Sequence, residues 1–469
     1  MNRYKKLFGN TLVLMLGNFS SKILVFLMLP LYTACLSTEE YGTVDLMMTT
    51  VNLLYPILTL LASEIALRFT LDKDANKAKI LTTCIKLHIV GFVVMLLFSS
   101  AFKLIPQIYE YRLIFFLYYF FGTLSNILMQ FSKGCDAVKE YSFTAFIKTF
   151  VTIVLNLVFL LCFKMGMIGY MYAYISADII ACLFLFLKLK LYKYVDLFSR
   201  TDTSLLKSML SYSIPMLPNS ICWWINNSLD RYLLLFFVGA SATGIYSAAN
   251  KIPAIIITFS TIFINAWQIS SVDDFGTEKN RLFFSEIYKK YSAFIICLSA
   301  IGIMFGKIIT GILLDDKFVD ADKSARVLML AFVFHTMSAF LGTVYTSSKK
   351  TKTLFISTFL GAIVNLVFNI LLIPKLGCIG AAIATAFAYM CVWISRLWAS
   401  KKIVKLSIAL RKDILCYALI ILECALAITN MKYSQIILPI LVAVIFALNY
   451  KEIKNIFNLR KIKNILFKK

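Results

Sequence analysis

Two series of side chains recur at helical spacing in an otherwise apolar sequence. Asp45, Thr49, Asn52, Pro56, Thr59 and Ser63 follow one another at steps of 4, 3, 4, 3 and 4, which places all six on one helix face. Ser247, Lys251, Ala254, Thr258, Thr261, Asn265 and Gln268 keep the same rhythm. Counted from Gly42 and Gly244, both series start three residues on and stay in register. Upstream of the first stand Thr11, Asn18 and Lys22, and upstream of the second Asn219, Asn226, Asn227, Asp230 and Arg231, with Trp223 and Trp224 close by. Hydroxyls and amides at these spacings can bind a polyhydroxylated ligand, and the cations can hold an anion by charge-assisted hydrogen bonds. They can equally serve as polar contacts between packed membrane helices. The repetition in register, with a charge in each series, favours lining of a cavity.

Nothing here resembles covalent catalysis. No phosphate-binding G-x-x-x-x-G-K-[ST] loop occurs; Gly302 to Lys307 is one residue short and lies in an apolar run. His88 and His335 have no carboxylate nearby in sequence and read as core residues. The 11 cysteines form no C-x-x-C pair, so neither a disulfide framework nor a zinc site is expected. No cofactor or metal is expected.

The elements that must position the stripes are membrane spans. Of 469 residues 60% are hydrophobic and 15% charged, a composition for which lipid is the solvent. Apolar windows near 11–33, 42–66, 80–102, 113–132, 142–163, 167–187, 208–237, 244–271, 291–313, 324–347, 353–373, 378–399, 413–430 and 434–449 predict fourteen helices. The basic start is read as part of a retained first helix, since no small-residue cleavage site follows it. With both termini in the cytoplasm, inner segments hold 33 Lys/Arg and outer loops seven, which fixes the orientation by the positive-inside rule. The net charge of +24 then belongs to loops facing anionic headgroups, and no nucleic-acid partner is expected. Every outer loop is short, which leaves no room for an enzyme's catalytic domain.

An internal repeat organises these spans. Leu36-Ser-Thr-Glu-Glu-Tyr-Gly42 matches Val238-Gly-Ala-Ser-Ala-Thr-Gly244 in position, and Asn156-Leu-Val-Phe159 before Gly166-Met-Ile-Gly169 matches Asn365-Leu-Val-Phe368 before Gly377-Cys-Ile-Gly380, with a two-residue difference in spacing. The expected fold is an all-α integral membrane protein of about 14 helices. Two six-helix bundles, 1–190 and 208–400, are related by a pseudo-two-fold axis along the membrane normal. A cytoplasmic linker covers 191–207, two additional helices 413–449, and a basic amphipathic tail 450–469.

Charges inside spans are expensive. Lys307, Arg326 and Arg396 lie near span ends and are expected to snorkel, while Lys86 and Lys148 are open between snorkelling and the mouth of a cavity. Lys22, Arg231 and Lys251 are the expected cationic binding residues. Asp230 and Arg231 are sequence neighbours about 100° apart on a helix, so a bridge between them is less natural than cross-helix pairs such as Asp45 with Lys22. The excess of cations favours an anionic substrate.

In this order, Leu36-Ser-x-x-x-Tyr-Gly42, Glu64-x-x-x-Arg68, Tyr212-Ser-x-Pro215, Asp230-Arg231, Gly244-Ile-Tyr-Ser247 and Gly377-x-x-Gly380-Ala-Ala make the whole chain resemble the O-antigen and capsular polysaccharide flippases. That family lies within the superfamily that also holds lipid II flippases and multidrug and toxin exporters. The resemblance implies a flippase carrying an undecaprenyl-diphosphate-linked oligosaccharide outward across the bacterial inner membrane by alternating access. Polysaccharide polymerase and chain-length machinery are further candidate partners, besides the lipid-linked substrate and membrane lipids. Lys22, Arg231 and Lys251 would hold the diphosphate, and Asn18, Asp45, Thr49, Asn52, Asn226, Asp230, Thr258 and Asn265 would line the cavity. Glu64, Arg68 and Asp178 are candidates for gating or coupling. Lys22 and Lys251 match in type the essential arginines that lipid II flippases carry on the first and eighth spans. The second span carries Asp45 instead, and its Arg68 lies at the cytoplasmic end, which argues against lipid II itself. A cation-coupled multidrug exporter is the other alternative.

Overall fold

The computed structural model describes residues 26–72, 74–272, 278–348, 351–404, 410–429 and 434–456. Asn18, Lys22, the side chain of Asn265 and the tail from 457 lie outside the described residues. The regular elements are helical throughout: α1 (Leu29–Cys35), α2 (Thr38–Leu58), α3 (Ala62–Thr70), α4 (Lys77–Leu97), α5 (Pro106–Glu110), α6 (Arg112–Gly134), α7 (Val138–Leu157), α8 (Gly166–Lys188), α9 (Thr203–Ser213) and α10 (Leu217–Phe237), then α11 (Ala240–Lys251), α12 (Ala254–Val272), α13 (Glu278–Met304), α14 (Gly306–Leu313), α15 (Ala321–Ser347), α16 (Thr351–Val404), α17 (Leu410–Thr429) and α18 (Ser434–Ile456). They form two compact units, Met1–Trp224 and Ile225–Lys469. Among the described residues, eight helices are long and apolar enough to cross a membrane, or nine if the bent pair α2–α3 counts as one span. At 54 residues, α16 is long enough for two spans, and it turns at Gly377, where φ is 55°. Exposed side chains such as Phe143, Phe146 and Phe150 on α7, or Ile356, Phe359, Ile363 and Ile370 on α16, fall at helical spacing on faces that only lipid can solvate. The chain is an all-α integral membrane protein.

The sequence repeat has a backbone counterpart in each unit. Ser37 caps α2 with a capping box to Glu40, and Gly239, at φ 123°, occupies the matching position before α11. Gly166, opening α8, and Gly377, at the turn of α16, share φ values of 56° and 55°, in the left-handed region that disfavours a side chain. The residues after them make the same link: the Met167 amide donates to Glu40 Oε1 at 3.3 Å, and Cys378 Sγ lies 3.2 Å from the carbonyl of Ala242. Glu40 and Ala242 hold equivalent places in the two copies.

Both striped spans are broken, where the sequence spacing predicts continuous helices. The helix α2 ends at Leu58, and α3 leaves at 58° to it. Pro56 cannot donate a backbone hydrogen bond, and Leu60 and Leu61 take left-handed φ values of 51° and 60°, which cost roughly 1–2 kcal/mol each. Side chains of the stripe seal the break. The Thr59 hydroxyl bonds the Tyr55 carbonyl at 2.8 Å and receives the Ala62 amide at 3.4 Å, while the Tyr55 hydroxyl receives the Ser63 amide at 3.0 Å and contacts the Ser63 hydroxyl. The Thr59 and Tyr55 hydroxyls thus accept the first amides of α3. The other striped span breaks at Ile252 and Pro253, between α11 and α12. Gly91 of α4 fits under the first break, since a Cβ there would stand 2.2 Å from the Leu58 carbonyl oxygen. Gly91→Ala is expected to destabilise the protein by about 1–3 kcal/mol, read as a lower melting temperature of the detergent-solubilised chain.

The segment 191–207 is fastened to α4. Thr82 donates to the Tyr194 carbonyl at 3.2 Å, Lys86 reaches the Ser199 carbonyl, and Lys79 pairs with Asp202 at 2.9 Å. Lys86 is thereby tied to the 191–207 segment. Asp202 also caps α9, and hydrogen bonds from Ser204, Lys79 and the Leu205 amide hold its carboxyl below the ordinary carboxylate range. A depressed folded-state value gives a contribution that is complete above the unfolded carboxylate value of about 3.9 and is lost as pH falls through the folded value. Protection of the Leu205 amide against hydrogen exchange, corrected for intrinsic rate, is expected to hold from neutral pH down to that value and to fall below it. Asp202→Asn should lower it at every pH.

Candidate functional site

In the second unit Asn226, Asp230 and Arg231, three of the expected site residues, gather at one ionic cluster. On α10, Asp230 and Arg231 are 2% and 6% exposed. They bridge each other at 3.3 Å, which corrects the expectation drawn from their angular separation. The reason is reach: the guanidinium folds back along the helix to the Asn227 carbonyl at 2.5 Å, and that path brings it past Asp230. Asp230 Oδ1 also accepts the Arg231 amide at 2.9 Å. Its other oxygen accepts the Tyr246 hydroxyl of α11 and, at 3.5 Å, the Thr385 hydroxyl of α16. Around this centre Tyr389 donates to Asn227 Oδ1 at 2.7 Å, and Asn226 donates to the Thr358 carbonyl at 3.1 Å. The cluster binds α10, α11 and α16 together, and the charge of Arg231 is matched inside it.

The stripe on α11 and α12 is more self-contained. Lys251 is half-buried and closes α11 next to the break. Thr258 and Thr261 donate to carbonyls one turn back on their own helix, at 3.1 and 2.7 Å, as membrane threonines do. Such a hydroxyl keeps its oxygen lone pairs for an incoming donor.

In the first unit, Asp45 and Thr49 are buried and Asn52 is exposed. Thr49 donates to the Asp45 carbonyl at 2.8 Å, and Trp224 Nε1 donates to the Thr49 carbonyl at 2.8 Å. The Trp224 indole is thus anchored on the stripe. Asp178, 1% exposed along its side chain, forms an ion pair with Lys148 across α7 and α8, so Lys148 does not snorkel. Beside them lies a buried tyrosine group: Tyr32 packs edge-on against Tyr170 at 4.8 Å, Tyr170 stacks on Tyr174, and Asn156 donates to Tyr32. Glu64 and Arg68 lie on α3, and Arg68 reaches forward to Asp72 at 2.7 Å. Among the described residues no ion pair joins it to Glu64.

Sequence reasoning missed Tyr246, Thr385 and Tyr389. Tyr246 sits inside the Gly244-Ile-Tyr-Ser247 motif, but nothing in that motif shows which acid its hydroxyl meets. It also misjudged two arginines. Arg326 and Arg396 are 4% and 2% exposed and do not snorkel. Arg326 bonds Asp322 at 2.9 Å and the Ala427 carbonyl at 2.7 Å, and Arg396 bonds Ser357, the Ser338 carbonyl and Thr358 at 3.0, 2.8 and 3.0 Å. A position near a span end is no guide when neighbouring helices offer acceptors nearer than the headgroups. Lys307 alone of the three is exposed.

Long apolar helices with buried charges neutralised among them define the class: a multi-pass membrane protein. The chain belongs to the family of polysaccharide biosynthesis proteins, whose model matches residues 7–267. Its structure is similar to the lipid II flippase MurJ in an inward closed conformation, with a TM-score of 0.71 and 15% identity, covering 95% of this chain and 99% of that one. It is also similar to a multidrug resistance MATE family transporter of the MOP superfamily in an inward-facing conformation, with a TM-score of 0.68 and 16% identity, covering 82% and 95%. In sequence it is 26% identical over 303 residues to an uncharacterized membrane protein of Methanocaldococcus jannaschii, a match that spans 61% of this chain and 58% of that relative.

Removing the carboxylate of the ionic cluster would leave Arg231 buried and unmatched. Asp230→Ala is expected to cost about 3–5 kcal/mol, measured by thermal unfolding in detergent. The double variant with Arg231→Ala should recover part of the loss.

Proposed function

We propose that this protein is a flippase for a prenyl-diphosphate-linked oligosaccharide, of the undecaprenyl type used for O-antigen, capsule or exopolysaccharide. It carries its substrate from the cytoplasmic to the outer face of the inner membrane by alternating access, with both termini in the cytoplasm. The observation that supports this reading most is the family match over residues 7–267, because that stretch contains nearly all of both polar stripes. The MurJ likeness over 95% of the chain supports it at the level of fold. In this reading Lys22, Arg231 and Lys251 bind the diphosphate, Arg231 keeping Asp230 as its ion-pair partner, while Thr49, Asn52, Thr258 and Asn265 offer hydrogen bonds to sugar hydroxyls. Such a cycle needs no covalent step. Its work is differential binding of one ligand by two conformations.

The test is mass spectrometry of lipid extracts from cells depleted of the protein and complemented either with wild type or with Lys22→Ala plus Lys251→Ala, at matched expression in the membrane. A prenyl-diphosphate oligosaccharide is expected to accumulate on depletion, to clear with wild type and to persist with the double variant. An unchanged lipid pool, with altered sensitivity to organic cations, would replace the flippase reading by that of an exporter.

A further inference from the structure

The thirteenth span carries a buried acid that the ionic clusters do not use. Glu423 lies on α17, is 0% exposed, and neither of its carboxyl oxygens has a hydrogen-bond partner among the described residues. It stands thirteen residues into α17, about 20 Å along a helix, in the apolar part of the span. The cation adjoining this turn is Arg326 of α15, which is already engaged by Asp322 and by the Ala427 carbonyl one turn beyond Glu423. The other acid of the span, Asp413, is 7% exposed and leaves Oδ2 without a partner. Around Asp413 stand Lys412, Lys289 of α13 and Glu452 of α18, of which Lys412 and Glu452 pair with each other at 2.7 Å. Tyr288 of α13 adjoins Asp413, and Ser292 on the same helix meets the Tyr417 hydroxyl at 3.4 Å. The polar groups between α13 and α17 thus begin at Asp413 and reach Tyr417, six residues before Glu423 on the same helix. Cys416 and Cys424 are the neighbouring thiols, and Asn449 of α18 donates to Cys416. A carboxylate with no cation and no donor costs several kcal/mol in such surroundings, whereas the neutral acid is tolerated.

We infer that Glu423 is a proton-binding site of the thirteenth span, exchanging its proton with the Asp413 end of α17. The bond that forms and breaks is the carboxyl O–H; the proton leaves Glu423 to water admitted from the Asp413 end of α17, and the Asp413 carboxylate accepts it there. Release requires a conformation in which a cation or water reaches the carboxylate, so binding of the proton is tied to the state of the helices around α17. The inference concerns the ion and stands apart from the identity of the transported lipid.

Infrared difference spectroscopy of the full chain in lipid nanodiscs tests it. A protonated-carboxyl band is expected in the wild type, to shift in heavy water and to fall as the buffer is moved from mildly acidic to alkaline. Glu423→Gln should remove the band, and Asp413→Asn should retain it while slowing the heavy-water shift about tenfold. Labelling of unsubstituted protein with an apolar carbodiimide, mapped by mass spectrometry, reads the same proton without a mutation and should modify Glu423 faster at lower pH. A wild-type band that Glu423→Gln leaves intact, a band that neither exchanges nor titrates, or wild-type exchange in Asp413→Asn would each overturn the inference.

Discussion

Backbone polar groups have no water to turn to inside a bilayer, so every amide and carbonyl must find its partner within the protein. That requirement makes the regular elements helical among the described residues. It also decides what happens wherever a helix stops. At the break after α2 the freed groups are taken up by the hydroxyls of Tyr55 and Thr59, and at the start of α8 the Met167 amide is taken up by Glu40. Polar residues that could be spent on a ligand are spent first on the backbone. The breaks also give these helices places to bend.

The same scarcity of solvent governs charge. Asp230 with Arg231, Asp178 with Lys148 and Asp322 with Arg326 are neutral units assembled within one helix or between neighbours. Arg396 shows a second solution. Its guanidinium is spread over two hydroxyls and a carbonyl from α15 and α16, so the charge is solvated by dipoles rather than cancelled. A buried ion pair adds little net stability but is costly to break, and clusters of this kind fix which helices move together.

The helical class, the spans and the repeat could all be read from the sequence, because they depend on hydrophobicity and on glycines with one feasible backbone state, such as Gly166 and Gly377. The break after α2 could not. Leu60 and Leu61 carry no turn signal, and Pro56 precedes the bend by several residues. Side-chain partners were harder still. Helical spacing gives an angle about an axis, which correctly separates Asp230 from Arg231 at their Cα atoms and says nothing of where a long guanidinium ends. Arg326 and Arg396 show the converse error, since distance to a span end matters only when no closer acceptor exists.

Superposing the repeats on the sequence shows what the two copies share and what they do not. The helix starts correspond: Ser37 with Gly239, Glu40 with Ala242, Gly166 with Gly377. The charges do not. Counted from those anchors, Asp230 faces the place of Met28, Asp45 that of Ser247, and Asp178 that of Tyr389. The break after α2 comes 21 residues into the span, and that after α11 comes 12 residues in. Duplication therefore fixed the backbone frame, which is constrained by hydrogen bonding, while each half acquired its own ionic centre. A protein with identical centres in both halves would offer its ligand two equivalent sites.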